Sequence, residues 1–245
     1  MPLESSPSVF LKKEPGLNII TISNGVNNAI SNQGLREMLM AFADALVDNS
    51  NPIMITGSGE KSFSMGYTAN CTKISDKVHL EEAYHLGTSV ARAILRSQVP
   101  VMAAVNGYAL GLGLEIVLCC DFVVASPKAK FGMPEIKYGI PSLTGFIPEL
   151  TEKFSGSLYS RVKSGDIFGA EVAKQLGLIT SLLPLPGFYR HARAYAMKLK
   201  TDLVRMIKPK EKVDLYRTSI DNKFFSLYDP TCSTMMELER FRNSI

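Results

Sequence analysis

Apolar residues follow two rhythms along this chain. Short unbroken runs recur at Asn18-Ile19-Ile20-Thr21-Ile22-Ser23, Pro52-Ile53-Met54-Ile55-Thr56, Val99-Pro100-Val101-Met102-Ala103-Ala104-Val105 and Phe122-Val123-Val124-Ala125. Runs of this length predict strands with little solvent on either face. Between them the spacing lengthens to that of a helix. Leu35, Met38, Leu39, Phe42, Ala45 and Leu46 predict an amphipathic helix over Gln33–Val47, and Ala83, Leu86, Val90 and Ile94 predict another over Glu81–Ser97. Leu114 to Cys120 is apolar almost all round, the mark of a buried helix. Asn24-Gly25 and Asn106-Gly107 are turn signals.

Further on, Phe146–Phe154 and Leu158–Lys163 read as short helices. Gly169 to Leu176 reads as a helix stopped by Gly177, and Ile179–Leu183 as a strand. From Phe188 on the chain reads as mainly helical, with breaks at Pro209 and near Pro230. Strands alternating with helices predict an α/β fold. No Gly/Ser/Pro-rich linker or exact repeat interrupts the pattern. The expectation is one compact domain with a helical C-terminal extension.

Composition changes this picture little. At 245 residues the chain can bury a large core, and no apolar run approaches the ~20 residues of a membrane span. Met1-Pro2-Leu3-Glu4-Ser5-Ser6-Pro7 lacks the basic and apolar regions of a secretory signal, and Asn243-Ser244-Ile245 is not a peroxisomal address. Cytoplasm is the expected location. Cys71, Cys119, Cys120 and Cys232 form no C-x-x-C spacing, so reduced thiols are expected rather than disulfides or zinc. The three histidines, His79, His85 and His191, suggest no triad, and no metal cluster appears.

The net charge of +4 is uneven: Arg190, Arg193, Lys198, Lys200, Arg205, Lys208, Lys210, Lys212 and Arg217 crowd one stretch. The simpler reading is a solvated helix face; RNA binding is the competing one.

Candidate chemistry concentrates between Val99 and Glu135. Gly57-Ser58-Gly59-Glu60-Lys61-Ser62 resembles a phosphate loop, but Glu60 separates Gly59 from Lys61, so a turn is expected there. By contrast, Gly111-Leu112-Gly113 lies between a buried strand and an apolar helix. Such a junction aims backbone N–H groups and a positive dipole end into space, where an oxyanion can be held. A tight turn with close packing would use the same glycines. Glu115 sits in the first turn of that helix among Leu114, Ile116, Val117 and Leu118; Glu135 follows Pro134 in a turn where exposure is the ordinary outcome. A carboxylate buried without partners costs several kcal/mol or changes its pKa. Two of them beside an oxyanion site suit proton transfer next to a carbonyl.

Val99-Pro100-Val101-Met102-Ala103-Ala104-Val105-Asn106-Gly107-Tyr108-Ala109-Leu110-Gly111-Leu112-Gly113-Leu114-Glu115, with Cys120-Asp121 behind it and Phe131-Gly132-Met133-Pro134-Glu135 after, resembles the enoyl-CoA hydratase/isomerase (crotonase) superfamily. The resemblance extends to Asn28-Ala29-Ile30, Phe63-Ser64-Met65-Gly66 and Ala170-Glu171-Val172-Ala173 through Gly177-Leu178-Ile179, and covers roughly residues 8 to 185. It implies a superhelix of ββα repeats over residues 1–185. Residues 186–245 would be a C-terminal helical region of the same domain, used for trimer contacts and for covering the site. It implies a homotrimer or a dimer of trimers, no membrane, and no cofactor beyond the coenzyme A carried by the acyl-CoA substrate. By position the oxyanion N–H groups fall on Tyr67 and Leu112, and the two family glutamates on Glu115 and Glu135. Coenzyme A and the acyl group would lie along Asn28, Ala29, Ile30, Gly66, Thr68, Ala69, Asn70, Gly111 and Pro141.

Having both glutamates implies hydration of a 2-enoyl-CoA. The alternatives within the fold are a double-bond isomerase, a decarboxylase or a thioester hydrolase, and the alternative outside it is a non-catalytic, RNA-binding member. The chain departs from the family pattern at several points. Leu112 and Tyr67 stand where smaller residues are usual. Gly139-Ile140-Pro141-Ser142-Leu143-Thr144 replaces a more glycine-rich stretch, and the aromatic-lysine ending is missing.

Overall fold

The computed structural model describes residues 7–47, 50–68, 77–140, 142–145, 156–200, 240–242 and 244–245. The helix expected over Phe146–Phe154, the helices expected beyond residue 200 with Pro209 and Pro230, and Cys71 and Cys232 lie outside the described residues, as do Ala69, Asn70 and Pro141.

The elements run β1 (Val9–Glu14), β2 (Leu17–Ile22), α1 (Asn32–Ala45), β3 (Ile53–Gly57), β4 (Ser62–Ser64), α2 (Lys77–Arg96), β5 (Val101–Val105), β6 (Tyr108–Leu110), α3 (Leu112–Cys119), β7 (Phe122–Ala125), β8 (Lys130–Gly132). A 3-10 helix (Pro134–Tyr138) follows, then α4 (Gly156–Ser164), β9 (Phe168–Gly169), α5 (Ala170–Gln175), β10 (Ser181–Leu182) and α6 (Phe188–Ala196). They build two sheets, one ordered β1-β2-β3-β5-β7-β10 and the other β4-β6-β8-β9. From β2 to β10 the first sheet is parallel, and so is β4-β6-β8 in the second. The chain therefore climbs as a spiral. Each turn lays one strand in each sheet, β3 with β4, β5 with β6 and β7 with β8.

Period-two alternation between two covered faces explains why the central strands are apolar apart from Thr56 of β3. Ile53, Ile55, Val101, Ala103, Val105, Val123 and Ala125 face the main core with residues of α1, α2 and α3. Their neighbours Met54, Met102, Ala104 and Val124 face the other side, where Phe188, Ala192 and Ala196 of α6 cover them. Both faces are dry, and the polar side chain of Thr56 in β3 is buried with its hydroxyl donating to Ala104 C=O at 3.0 Å.

Some expectations shift. α2 starts at Lys77 rather than Glu81, and the strand at Ile179–Leu183 contracts to Ser181–Leu182. β1 pairs antiparallel with β2 although its polar Lys12-Lys13-Glu14 end masks any apolar rhythm. Cys119 and Cys120 are buried, and Cys120 Sγ donates to Ile116 C=O at 3.2 Å. Among the described residues no helix is long and apolar enough to cross a membrane. Nor do His, Cys, Asp or Glu side chains there gather in groups of three or more that could hold a metal.

Candidate active site

Three strands of the second sheet deliver the site. Gly66 and Tyr67 come just after β4, Leu112 just after β6, and Glu135 just after β8. The strands are parallel neighbours, so the same address in three successive turns meets at one end of the sheet.

Tyr67 pairs with Ile30 as a parallel bridge: Ile30 N–H donates to Gly66 C=O and Thr68 N–H to Ile30 C=O, each at 2.9 Å. In such a pair the flanked residue turns its own N–H and C=O to the opposite side. Its phenol is held as well, donating to Asn32 Oδ1 at 2.8 Å and lying 3.1 Å from His79 Nε2. Asn32 in turn donates to Glu82 at 2.8 Å, which is paired with Arg36. A tyrosine thus fits where the family favours a small side chain, because α1 and α2 supply polar partners for its hydroxyl.

Leu112 is the first residue of α3, so its N–H has no acceptor within its own helix. Gly111 before it takes φ 52°, ψ −124°, a conformation open to glycine and strained for any other residue. A Cβ at Gly111 would also run into the Glu135 carboxyl, 2.7 Å from Cδ. At Gly66 (φ 97°) the site of a Cβ lies 3.4 Å from Leu112 N and 2.9 Å from Leu110 O, so β4 and the start of α3 touch through bare backbone. Leu112's side chain is buried in the main core.

The two glutamates are both buried, Glu115 to 1% exposure and Glu135 to 5%. Glu115 Oε2 accepts from Ser142 Oγ at 2.8 Å and from Thr144 N–H at 2.7 Å, and Oε1 accepts from Leu143 N–H at 3.3 Å. Burial pushes the Glu115 carboxyl above its ordinary range, and the donors of Thr144, Ser142 and Leu143 work against that push. Glu135 is raised to about 7, first by burial; the positive charge of Arg242 opposes the rise and Glu115 adds to it. Its Oε2 is buried with no hydrogen-bond partner among the described residues. The sequence pattern favoured an exposed Glu135. Instead the 3-10 helix from Pro134 folds it under Gly111.

Of the other residues proposed from sequence, Ile30, Gly66, Thr68 and Gly111 gather around this centre through the contacts above. Asn28 is buried, and its side chain is taken up by the turn: Nδ2 donates to Ser58 O and Ser62 O, and Oδ1 accepts from Asn24 N–H and Ser58 Oγ. The Ala29 carbonyl accepts from Asn24 Nδ2 at 2.7 Å.

Sequence reasoning missed three participants. Ser142 and Thr144 clamp Glu115; their hydroxyl and amide were visible only as a replaced glycine stretch. Arg242 arrives from the far end of the chain, buried to 3% exposure, with Nη1 donating to Tyr67 C=O at 2.7 Å. No local pattern marks it.

A parallel spiral thus brings two buried carboxyls to backbone N–H groups at a strand–helix junction. The sequence profile described as Enoyl-CoA hydratase/isomerase matches residues 12–221, and the chain belongs to that family. A crotonyl-CoA hydratase of Syntrophomonas wolfei is 37% identical over 133 residues, 52% of this chain and 50% of that relative. A short-chain-enoyl-CoA hydratase of Clostridium acetobutylicum is 35% identical over 131 residues, 52% of this chain and 49% of its own length. The chain thus spans about half the length of these two relatives. The match to a 2,3-dehydroadipyl-CoA hydratase of Escherichia coli is longer, 30% identity over 196 residues, covering 78% of this chain and 75% of the relative. Among solved structures, an enoyl-CoA hydratase/isomerase from Xanthobacter autotrophicus Py2 superposes with a TM-score of 0.80 at 18% identity, covering 98% of this chain and 94% of that one. This last likeness speaks for the superhelical fold alone.

Proposed function

We propose that the chain is an enoyl-CoA hydratase, adding water across the double bond of a 2-enoyl-CoA. The observation that carries this is the pairing of two buried glutamates with opposite equipment, one clamped by three donors and one with an unpartnered oxygen, at the same strand–helix junction. The thioester oxygen would lie between the N–H groups of Tyr67 and Leu112. Glu115 would hold a water and take its proton as the oxygen bonds to C3. The π electrons of the double bond move onto the thioester oxygen as an enolate, and protonated Glu135 then gives its proton to C2. A carboxyl raised to about 7 is well matched to that last step near neutral pH.

The acyl and pantetheine groups would run past Ala29, Ile30, Thr68, Ala69, Asn70 and Pro141. In this reading residues 1–185 form the catalytic core and 186–245 its cover, and the protein works in the cytoplasm as a homotrimer or dimer of trimers. The test is direct: crotonyl-CoA and longer enoyl-CoA esters are incubated with purified protein and the products weighed by mass spectrometry. Gain of one water supports the reading. Absence of any water adduct across the panel sinks it.

A second reading stays within the family. The three donors on Glu115 would also suit a purely structural carboxylate, leaving Glu135 alone to move a proton between C2 and C4 in a double-bond isomerase. Retained 3-enoyl to 2-enoyl conversion by Glu115→Ala would select it.

A further inference from the structure

The polar side chains around the Tyr67 phenol take no part in the two-glutamate chemistry, yet they hold the residue whose N–H faces the thioester oxygen in the reading above. Three elements bring them together. Tyr67 follows β4, Asn32 opens α1 directly after the N-cap Ser31, and His79 lies in the first turn of α2. Tyr67 Oη spends its one proton on Asn32 Oδ1 at 2.8 Å. Asn32 Nδ2 has only protons to give. One goes to Glu82 Oε2 at 2.8 Å, and the other is shared by His79 C=O at 3.1 Å and His79 Nδ1 at 3.3 Å. Nδ1 therefore accepts, which leaves the imidazole proton on Nε2. That N–H meets the Tyr67 oxygen at 3.1 Å. The three side chains close a ring in which every proton has one direction.

Outside the ring Glu82 pairs with Arg36. The Asn32 donor first, and then the Arg36 charge, hold the Glu82 carboxyl below its ordinary range, so Asn32 is oriented by an ionised acceptor. On the inside, the segment from Ile30 to Asn32 grips Tyr67 twice. Ile30 bridges its backbone, and Asn32 takes its phenol. A backbone bridge alone lets a strand residue rock about the strand axis. A second hold at the far end of the side chain opposes that rotation. The Tyr67 N–H points away from Ile30, and a hydrogen bond weakens steeply as its angle departs from linear. Any rocking would therefore be felt at the oxygen on which charge develops.

We infer that Asn32 and His79 are positioning residues for the thioester oxygen: through the Tyr67 phenol they fix the direction of the Tyr67 N–H. This rests on the acyl-CoA reading above. The tyrosine that departs from the family pattern thereby becomes the lever by which α1 and α2 aim one oxyanion donor.

The experiment uses the full-length protein and butanoyl-CoA isotopically labelled at its carbonyl carbon, a saturated thioester with no double bond to hydrate. Infrared difference spectra of the bound ester report how far the oxyanion donors lower the carbonyl stretch. Turnover of crotonyl-CoA is measured beside it. Wild type is expected to lower the stretch. Tyr67→Phe keeps the ring and the N–H but loses the hydroxyl. It should bind the ester, lose part of the lowering, and reduce kcat about tenfold with KM changed much less. That is short of the roughly 100-fold for deleting an oxyanion donor, because the N–H remains. Asn32→Ala and His79→Ala should act the same way, and each loss should vanish in a Tyr67→Phe background. His79→Gln, which returns a donor near the Nε2 position, should recover most of the lowering. An undiminished lowering and kcat in Tyr67→Phe overturns the inference while leaving the hydratase reading intact. So do losses from His79→Ala and Tyr67→Phe that add in full, since His79 would then act by another route. A bound ester whose stretch is not lowered even by wild type instead removes the oxyanion reading beneath the inference. If Tyr67→Phe does not fold, the two histidine variants decide. Recovery by His79→Gln of what His79→Ala loses supports the inference, and equal losses in both overturn it.

Discussion

Glu115 and Glu135 are the same residue in almost the same degree of burial, and the molecule treats them differently. Glu115 stands on α3 and receives a hydroxyl and two backbone N–H groups from the Ser142–Thr144 segment. Those donors recognise the ionised form. Glu135 sits in a 3-10 turn under Gly111 with one oxygen unpartnered, stabilised only by a backbone hydrogen bond and the charge of Arg242. The difference teaches that burial alone does not assign a role. Donors work against the push that burial puts on the Glu115 carboxyl. With fewer donors, Glu135 is raised to about 7.

The largest expected effect falls on the residue with the fewer donors. Glu135→Gln should lower turnover by about 1,000-fold, within the range for losing a general acid–base group, while coenzyme A esters still bind. Steady-state kinetics with binding by calorimetry measures this, and near-normal turnover would break the comparison.

Next comes the backbone that holds Glu135 in place. Gly111→Ala puts a Cβ into the Glu135 carboxyl and into a positive φ, and should cost about 4 kcal/mol of stability from overpacking and strain together. Urea unfolding measures it. A loss under about 1 kcal/mol would show that the carboxyl is free to move aside.

The third effect is on pH dependence of stability. Glu135 is raised from 4.5 to about 7 in the folded protein, so the folded state keeps a proton that the unfolded chain releases. Stability contributed by this group is therefore fullest at the acid side of the window and falls as pH rises through about 7, by roughly 3 kcal/mol in total. Glu115, also raised, adds a loss of the same sign. Denaturation from pH 5 to 8 should slope downward in wild type and be flatter in Glu135→Gln; parallel slopes would contradict the assignment.

The smallest effect sharpens the other side. Ser142→Ala removes one donor to Glu115 and should raise its proton affinity further, lowering hydratase turnover about tenfold, the scale of one hydrogen bond to a charged group. The loss should shrink at higher pH, where Glu115 ionises again. A uniform loss at all pH values would mean that Ser142 serves only to fix the loop.

Much of this was legible in the sequence, for reasons that can be named. Ile53–Gly57 and Val101–Val105 announce themselves because both faces of their sheet are dry, so the runs are apolar but for Thr56. Glu115 stood out because every neighbour on α3 is apolar. Glu135 was visible as a residue but not as a buried one, since its burial comes from Gly111 in the previous turn of the spiral. β6, β8 and β9 are too short for a period of two to register. Arg242 and the Ser142–Thr144 clamp depend on contacts between distant segments, and neither leaves a local signal.

The spiral also works as a ruler. Neighbouring strands in a sheet lie about 4.8 Å apart. Since Tyr67, Leu112 and Glu135 follow β4, β6 and β8, their spacing is quantised by that hydrogen-bond repeat rather than by loop lengths. Three rungs span about 10 Å. Insertions in the connections between strands would leave that scale untouched, whereas replacing a single rung would change one chemical step and keep the others in place. Such a scaffold can exchange reactions one residue at a time.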